Sequence, residues 1–303
     1  MDVRDASVKG FAESLKAKGK LPATVESYSR DARDFLGFLA RHRLATNKVE
    51  PETLVAFQEH LTHVEREKAN SVRRKIIGVR QFYRYLAESH RVKSTPFDDV
   101  PLPIRNEVMP RNQTLDKVTA LIVKMTARPD GLKAARDRAI VQLLAFEGLK
   151  AHELIDLEWR DFYHGPGLAT LSIRGSRARV VTLAQETGEA ILAYRERFGA
   201  INKTRPRRGA AVRMFIAFQG RDGATPIPNI TRHGLKFLLY ELGDGAGLSH
   251  CNTELLRHHA IQHQLYNGRA PEEIMTHLGL RRLGIVAKHL GRMKQDTERE
   301  RTD

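Results

Sequence analysis

Apolar residues recur at helical spacing along the first hundred residues, which predicts a helical domain. One helix face carries Tyr28, Ala32, Phe35 and Leu39. Thr24 precedes this face and is the expected N-cap, because its hydroxyl can accept from a free backbone N–H. Further helices are predicted to begin at Pro51 and near Asn70.

The helix that begins near Asn70 shows two stripes. Its apolar stripe carries Val72, Ile76, Val79, Tyr83 and Leu86. Arg73, Arg80 and Arg84 form a basic stripe beside it. A solvated helix face is the ordinary explanation of such a stripe, and contact with phosphates is the alternative.

Closely spaced prolines interrupt the helical pattern after residue 95. They are Pro96, Pro101, Pro103 and Pro110. Four prolines this close cannot lie inside one helix, because each lacks a backbone N–H and clashes with the preceding turn. We therefore predict a helical domain over 1–100, an extended linker over 101–111 and a second domain over 112–303.

The second domain is predicted to be helical with a small antiparallel sheet. Two β-rich runs, 168–173 and 180–183, flank a basic turn that contains Arg174, Arg177 and Arg179. Their alternation and the glycine in the turn are typical of a hairpin. The whole chain is thus predicted to be mainly α, of the α+β class.

The charge balance favours a polyanionic partner. Lys and Arg total 51 against 36 Asp and Glu, which gives a net charge of +15 over 303 residues. Neutralised phosphates release condensed counterions, so such a surplus favours nucleic acid, although a basic surface can also lack a partner. One cysteine, Cys251, excludes a disulfide framework. We expect a cytoplasmic, nucleoid-associated protein with no membrane span, since no run approaches about 18 apolar residues.

The order of elements resembles the tyrosine recombinase (phage integrase, Xer-like) family over nearly the whole chain. Residues 81–86 resemble the last helix of that family's core-binding, SAM-like domain. Residues 136–140 with 148–154 resemble its first catalytic motif, and 256–258 and 277–279 resemble the second and third. The resemblance implies a catalytic-type second domain, double-stranded DNA as the partner, and no cofactor or metal.

The chemistry of that family defines which positions to inspect. A tyrosine hydroxyl attacks a DNA phosphodiester and forms a covalent phosphotyrosyl link. Two arginines hold the non-bridging oxygens, a lysine on the hairpin turn protonates the leaving oxygen, and histidines assist. In this chain those positions carry Lys150, Arg174, Glu254, Arg257, Leu280 and His289. Only Arg257 keeps the family residue, and the resemblance therefore implies a degenerate active site without its nucleophile.

Each substitution weakens cleavage for a physical reason. Lys150 keeps the charge but loses the planar fork, and Arg174 is a very poor proton donor. Glu254 repels a phosphate and could pair with Arg257 three residues later on one helix. We expect Leu280 to pack in the core and His289 to lie on a polar helix face.

Two other side chains are candidate nucleophiles. His289 could form a phosphoryl intermediate, although it lacks a partner acid. Tyr266, the last tyrosine in the chain, is expected to be a core residue. The histidines at 258, 259 and 263 lack metal-ligand spacing, so no metal is predicted.

These observations predict a DNA-binding protein that does not cleave DNA and acts as an accessory or regulatory factor. The expected DNA contacts are Arg73, Arg80, Arg84, Lys150, Arg174, Arg177, Arg179 and Arg257. The partners would be duplex DNA and an active recombinase or further copies of the chain. The alternative is a divergent recombinase that cuts and rejoins DNA with an atypical or trans-supplied nucleophile; a protein-interaction scaffold without DNA is a third interpretation.

Overall fold

The structure is a computed structural model that describes residues 3–93, 95–104, 109–126, 131–201, 212–219 and 225–300. The chain divides into two compact units, Met1–Val108 and Met109–Asp303. Part of the predicted linker, 105–108, lies outside the described residues.

The first unit is a four-helix domain. Its helices are α1 Val3–Ala17, α2 Pro22–Arg41, α3 Pro51–Glu59 and α4 Ala69–Glu88, and α3 continues into a π-helical turn, His60–Val64. Thr24 does not cap α2, and that prediction is wrong. The helix begins two residues earlier at Pro22, whose fixed φ suits the first helical position.

The apolar stripes of α2 and α4 meet in one core. Phe35, Ile76 and Val79 have no exposed surface, and burial of such side chains is the main force that holds these helices together. Gly78 allows the close approach, because a Cβ there would come within 2.5 Å of an Asp31 carboxylate oxygen. Asp31 is itself buried and is paired with Arg74.

The basic stripe of α4 holds the segment that follows it. Arg73 Nη1 donates to the Pro103 carbonyl at 2.8 Å. Arg80 donates to the Val100 carbonyl, and Arg84 pairs with Asp98 at 2.9 Å. The segment is also anchored by Phe97, a buried ring 4.6 Å from the ring of Tyr83. All three arginines of the stripe therefore fix residues 97–103 within the first unit.

The second unit is mainly helical with two small sheets. Its helices are α5 Asn112–Thr126, α6 Leu132–Ala145, α7 Ala151–Asp156, α8 Gln185–Ile201, α9 Arg232–Asp244, α10 Thr253–Tyr266, α11 Pro271–His277 and α12 Gly284–Glu300. Its strands are β1 Phe162–Gly165, β2 Leu168–Ile173, β3 Arg179–Thr182, β4 Ala217–Gln219 and β5 Thr225–Ile227. The predicted fold class is confirmed by this composition.

Both sheets are antiparallel. The first has the order β1-β2-β3, and the second pairs β4 with β5. In the first sheet Leu171 lies opposite Val181, and both side chains are buried. The predicted hairpin is therefore confirmed, with its basic turn at 174–178 between β2 and β3.

The C-terminal helix α12 packs within the second unit. Val286 joins a buried apolar cluster with Ile261 of α10, Ile274 of α11 and Leu278, the residue that follows α11. At the far end of α12, Asp296 accepts from the Asn112 side chain at 2.8 Å. Across the described parts of both units, no helix combines the length and apolar character needed to cross a membrane.

Candidate functional site

Lys150 is the N-cap of α7 and lies two residues after Gly148, whose backbone is left-handed. Its backbone N–H donates to Glu153 at 2.9 Å, and its ammonium lies 3.4 Å from both a Glu153 carboxylate oxygen and the Gly279 carbonyl. Burial lowers the pKa of Lys150, and Glu153 acts in the opposite direction. About a third of the side chain, 31%, is exposed, so a solvent-borne anion can reach it.

Glu153 is a buried carboxylate that contacts both Lys150 and Arg179. These residues, together with Arg257, are called the cation cluster below. Arg179 of β3 pairs with both of its oxygens, at 2.9 and 3.1 Å. Burial alone would raise the pKa of Glu153, but hydrogen bonds from Arg179 and from the Lys150 backbone outweigh it and lower the pKa to about 2. Arg179 also donates from Nε to the His277 carbonyl at 2.7 Å. Its guanidinium is thereby fully engaged inside the protein.

Arg257, which the sequence resemblance predicts to match a family arginine, is buried in the second turn of α10, with 6% of its surface exposed. One Nη donates to the Gly148 carbonyl and the other to the Leu278 carbonyl at 2.6 Å. Burial lowers its pKa, and the nearby Glu153 and Glu254 raise it. Both ends of the planar fork therefore face backbone carbonyls.

Glu254 shares α10 with Arg257, as predicted, but it is exposed. Within the described residues no ion pair joins the two side chains, because the Arg257 guanidinium is turned toward Gly148 and Leu278. The pairing that the i, i+3 spacing of Glu254 and Arg257 allows is therefore not formed. Glu254 lies in the first turn of α10, where a negative charge favours the helix dipole.

Arg174 occupies the hairpin turn and folds back onto the preceding segment. It donates to Asp161 at 2.8 Å and lies 3.1 Å from Glu158. It also donates to the Asp156 carbonyl at 2.8 Å. Nearly half of its side chain, 46%, is exposed. Arg177, in the same turn, is half-buried.

His289, which the sequence resemblance predicts to occupy the nucleophile position, is buried with 2% of its surface exposed. Its Nε2 lies 2.9 Å from His258 Nδ1. The expectation that His289 lies on a polar face is wrong, because the ring turns inward to α10 while the neighbouring Lys288 is exposed. Leu280 is partly buried against the apolar cluster of α10, α11 and α12, as expected.

Tyr266 is not a core residue, and that expectation is wrong. It is the last residue of α10, and 64% of it is exposed. Helical spacing placed it beside Leu265, but the helix ends there and the following Asn267 and Gly268 leave the ring in solvent.

Sequence reasoning missed the acceptors that organise the cluster. Glu153 was predictable, since a glutamate three residues after an N-cap is a capping pattern. The second acceptor, Glu147, receives the Ala184 N–H at 2.9 Å and lies 3.0 Å from His277 Nε2. Its partners are 37 and 130 residues distant, so no local pattern could reveal them.

The described residues contain no group of three or more His, Cys, Asp or Glu side chains able to hold a metal.

The first unit is similar to a known domain family. Residues 8–90 match the family model "Phage integrase, N-terminal SAM-like domain". Two curated relatives extend the similarity over nearly the whole chain. The tyrosine recombinase XerC of Pelobacter propionicus is 27% identical over 280 residues, covering 90% of this chain and 87% of the relative. The tyrosine recombinase XerD of Listeria monocytogenes is 26% identical over 279 residues, covering 89% of each.

Solved structures show the same fold. The XerH site-specific recombinase bound to its difH substrate, in a pre-cleavage complex, has a TM-score of 0.64 at 17% identity. The match covers 88% of this chain and 76% of that one. A lambda integrase (75–356) dimer bound to a COC′ core site has a TM-score of 0.65 at 12% identity, with 94% of each chain covered.

The chain is therefore similar to tyrosine recombinases of the phage integrase and Xer-like type over nearly its whole length, and its first unit matches their N-terminal SAM-like domain.

Proposed function

We propose that the chain is a DNA-binding protein on a tyrosine recombinase scaffold that does not cleave DNA. The observation that carries this proposal is the state of position 289. A buried histidine, hydrogen-bonded to His258, stands where the family has its nucleophilic tyrosine. A nucleophile must reach the phosphorus atom of its substrate, and a ring with 2% exposure cannot do so without movement of α12.

The proton-transfer chemistry is also weakened. Arg174 stands at the leaving-group acid position, and a guanidinium does not release its proton at neutral pH. Hydrogen bonding with Glu158 raises the pKa of Arg174 further. Glu254 and Leu280 replace the assisting histidines with a repelling carboxylate and an apolar side chain.

DNA binding is supported by charge and by the structural relatives. The chain carries a net charge of +15. The XerH and lambda integrase structures of similar fold contain DNA. The second unit offers the partly exposed Lys150 and Arg174, and the first offers Arg84, whose side chain is 50% exposed. Cations of this kind attract phosphates by counterion release without reading sequence.

We infer an accessory or regulatory role from this combination. A protein that binds a recombination site without cutting it can organise the site for an active recombinase, or regulate transcription or replication there. The partners would be duplex DNA and either an active recombinase or a second copy of this chain.

The test of non-catalysis is a trapping assay. DNA bound by the chain is selected from a random pool, nicked near the centre of the site, and incubated with the protein. An active recombinase of the family on its own nicked site serves as the positive control. We expect no protein–DNA species to survive denaturing electrophoresis, and a covalent adduct would end the proposal.

The test of DNA binding is the salt dependence of affinity. Neutralisation of several phosphates predicts a steep fall of log K with log salt, about 0.9 per ion pair. Lys150→Gln and Arg174→Gln should each make the slope shallower by about one. Arg195→Gln is the matched control, since Arg195 is exposed on α8 outside the cluster. Absent or salt-insensitive binding would favour a protein-interaction scaffold.

A divergent but active recombinase is the second candidate, and one observation favours it. Tyr266 is 64% exposed, so its hydroxyl can approach DNA bound by another copy of the chain. If an adduct forms in the trapping assay, Tyr266→Phe and His289→Gln distinguish the two nucleophiles, because only the correct substitution abolishes the adduct.

A further inference from the structure

Arg257 bridges the C-terminal ends of two helices. One end of its guanidinium donates to the carbonyl of Gly148, three residues after the end of α6, and the other to the carbonyl of Leu278, the first residue after α11. The last carbonyls of a helix lack partners within the helix and carry partial negative charge. The buried cation of Arg257 lies near both negative helix ends and satisfies the Gly148 and Leu278 carbonyls of the turns that follow them.

The two helix ends are built alike. Gly148 and Gly279 both adopt left-handed backbone, with φ of +63° and +60°. The Leu149 N–H returns to the Leu143 carbonyl at 3.2 Å, and the Leu280 N–H returns to the Met275 carbonyl at 2.9 Å. After each of the two helices the backbone thus turns sharply back, and a carbonyl of the turn faces Arg257.

Other cations of the cluster bind the same turn. Arg179 takes the His277 carbonyl and Lys150 approaches the Gly279 carbonyl, on either side of the Leu278 carbonyl held by Arg257. Three consecutive carbonyls therefore face three different cations. Glu147 and His277 join the same two helix ends a second time, at 3.0 Å.

We propose that Arg257 is an internal tie between these helix ends and does not contact DNA phosphate. To grip a phosphate with both Nη atoms, its guanidinium would have to release two buried carbonyls, which would be left without partners. The phosphate contacts of this region are then made by the partly exposed Lys150 and Arg174. The ligand is intact duplex backbone rather than a phosphate poised for attack. The part concerning DNA rests on the proposed function.

The experiment compares Arg257→Lys and Arg257→Gln with Lys150→Gln, and Arg195→Gln is again the control. Melting temperature and the salt slope of DNA affinity are measured for each. Both Arg257 variants should lower Tm by about 5 °C or more, because a lysine cannot reach two carbonyls in one plane. Their salt slope should equal that of the wild type. Lys150→Gln should show the reverse pattern, a slope shallower by about one and a Tm nearly unchanged.

The proposal that Arg257 is an internal tie would be overturned by an Arg257 variant that keeps the wild-type Tm. It would also be overturned by a variant whose DNA affinity has a salt slope shallower by about one. If Arg257→Gln does not fold, Arg257→Lys carries the comparison. A wild-type chain that binds no DNA would defeat the proposed function, and the Tm of the Arg257 variants would still decide whether the tie exists.

Discussion

His258 Nδ1 and His289 Nε2 lie 2.9 Å apart in the packing between α10 and α12, and both rings are buried. Such a contact needs one proton between the two nitrogens, so one ring donates and the other accepts. Burial lowers the pKa of both rings, that of His289 to about 4, with His258 and Arg292 adding to the effect at His289. At His258 the charge of Glu254 opposes the shift. The pair joins the two helices in its neutral form.

Acid should therefore destabilise the second unit through this pair. Unfolded histidine titrates near pH 6.5 and the folded rings titrate lower, so the unfolded chain binds more protons. The contribution is fully present above about pH 6.5 and is lost as pH falls toward 4. From pH 7.5 to 5 we expect a loss on the order of 2 kcal/mol in the free energy of unfolding, measured with urea.

The variant His289→Leu should lose much of this pH dependence, because it has no proton to bind. His152→Gln is the matched control, since His152 is exposed on α7, and it should behave like the wild type. An unchanged pH dependence in His289→Leu would show that other groups cause the acid sensitivity.

The substitution Glu153→Gln should destabilise the second unit. It would leave the Arg179 guanidinium, whose side chain is 8% exposed, without its carboxylate. Loss of one partner of a buried pair costs about 3–5 kcal/mol. Because the folded pKa of Glu153 is depressed to about 2, its contribution is present above about pH 4.3 and is lost as pH falls toward 2.

Urea denaturation at pH 7 and pH 3 measures the effect of Glu153→Gln. The difference from the wild type should shrink at the lower pH. Glu196→Gln makes the same change at an exposed position on α8 and should be neutral within about 0.5 kcal/mol. A Glu153→Gln chain as stable as the wild type at pH 7 would show that Arg179 finds other acceptors.

The elements were predictable because their signals are local. The apolar period of α4 and the β-rich runs around the 174–178 turn each predict one element, and each is present. The ends of elements were less predictable. Thr24 failed as a cap because Pro22 competes for the start of α2, and Tyr266 failed as a core residue because α10 ends at it.

The contacts of the candidate residues were not predictable from the sequence. Motif order nominates Lys150, Arg174 and Arg257 as candidate positions, but the groups that those cations face depend on residues far apart in the chain. Arg257 lies 109 residues from Gly148, to whose carbonyl it donates. A guanidinium that could hold phosphate and one that holds a backbone carbonyl look the same in sequence.

Gly148→Ala should destabilise the chain, whereas Gly291→Ala should not. Gly148 has a φ of +63°, and a Cβ there would come within 2.9 Å of the Leu278 side chain. We expect a loss of about 1–3 kcal/mol from backbone strain and crowding. Gly291 lies inside α12 with nothing within 4 Å, so alanine there should stabilise by about 0.5–1 kcal/mol. Thermal unfolding of both variants measures the contrast, and equal effects would contradict it.

Placing a tyrosine at position 289 should not by itself produce cleavage. In His289→Tyr the hydroxyl would still be carried by a position with 2% exposure facing His258. The transition state would meet the single ammonium of Lys150 in place of an arginine fork, and Arg174 would not protonate the leaving oxygen. We therefore expect no covalent adduct from this variant in the nicked-site assay, even where it binds the DNA as the wild type does.

The informative control for His289→Tyr is the combined variant that also carries Lys150→Arg, Arg174→Lys, Glu254→His and Leu280→His. An adduct from the combined variant alone would mean that the scaffold still positions DNA for attack and that only side chains are lacking. An adduct from the single variant would mean that position 289 reaches the phosphate despite its burial. That result would require α12 to leave its packing against α10 when DNA binds, and it would contradict the closed arrangement from which the absence of cleavage is inferred.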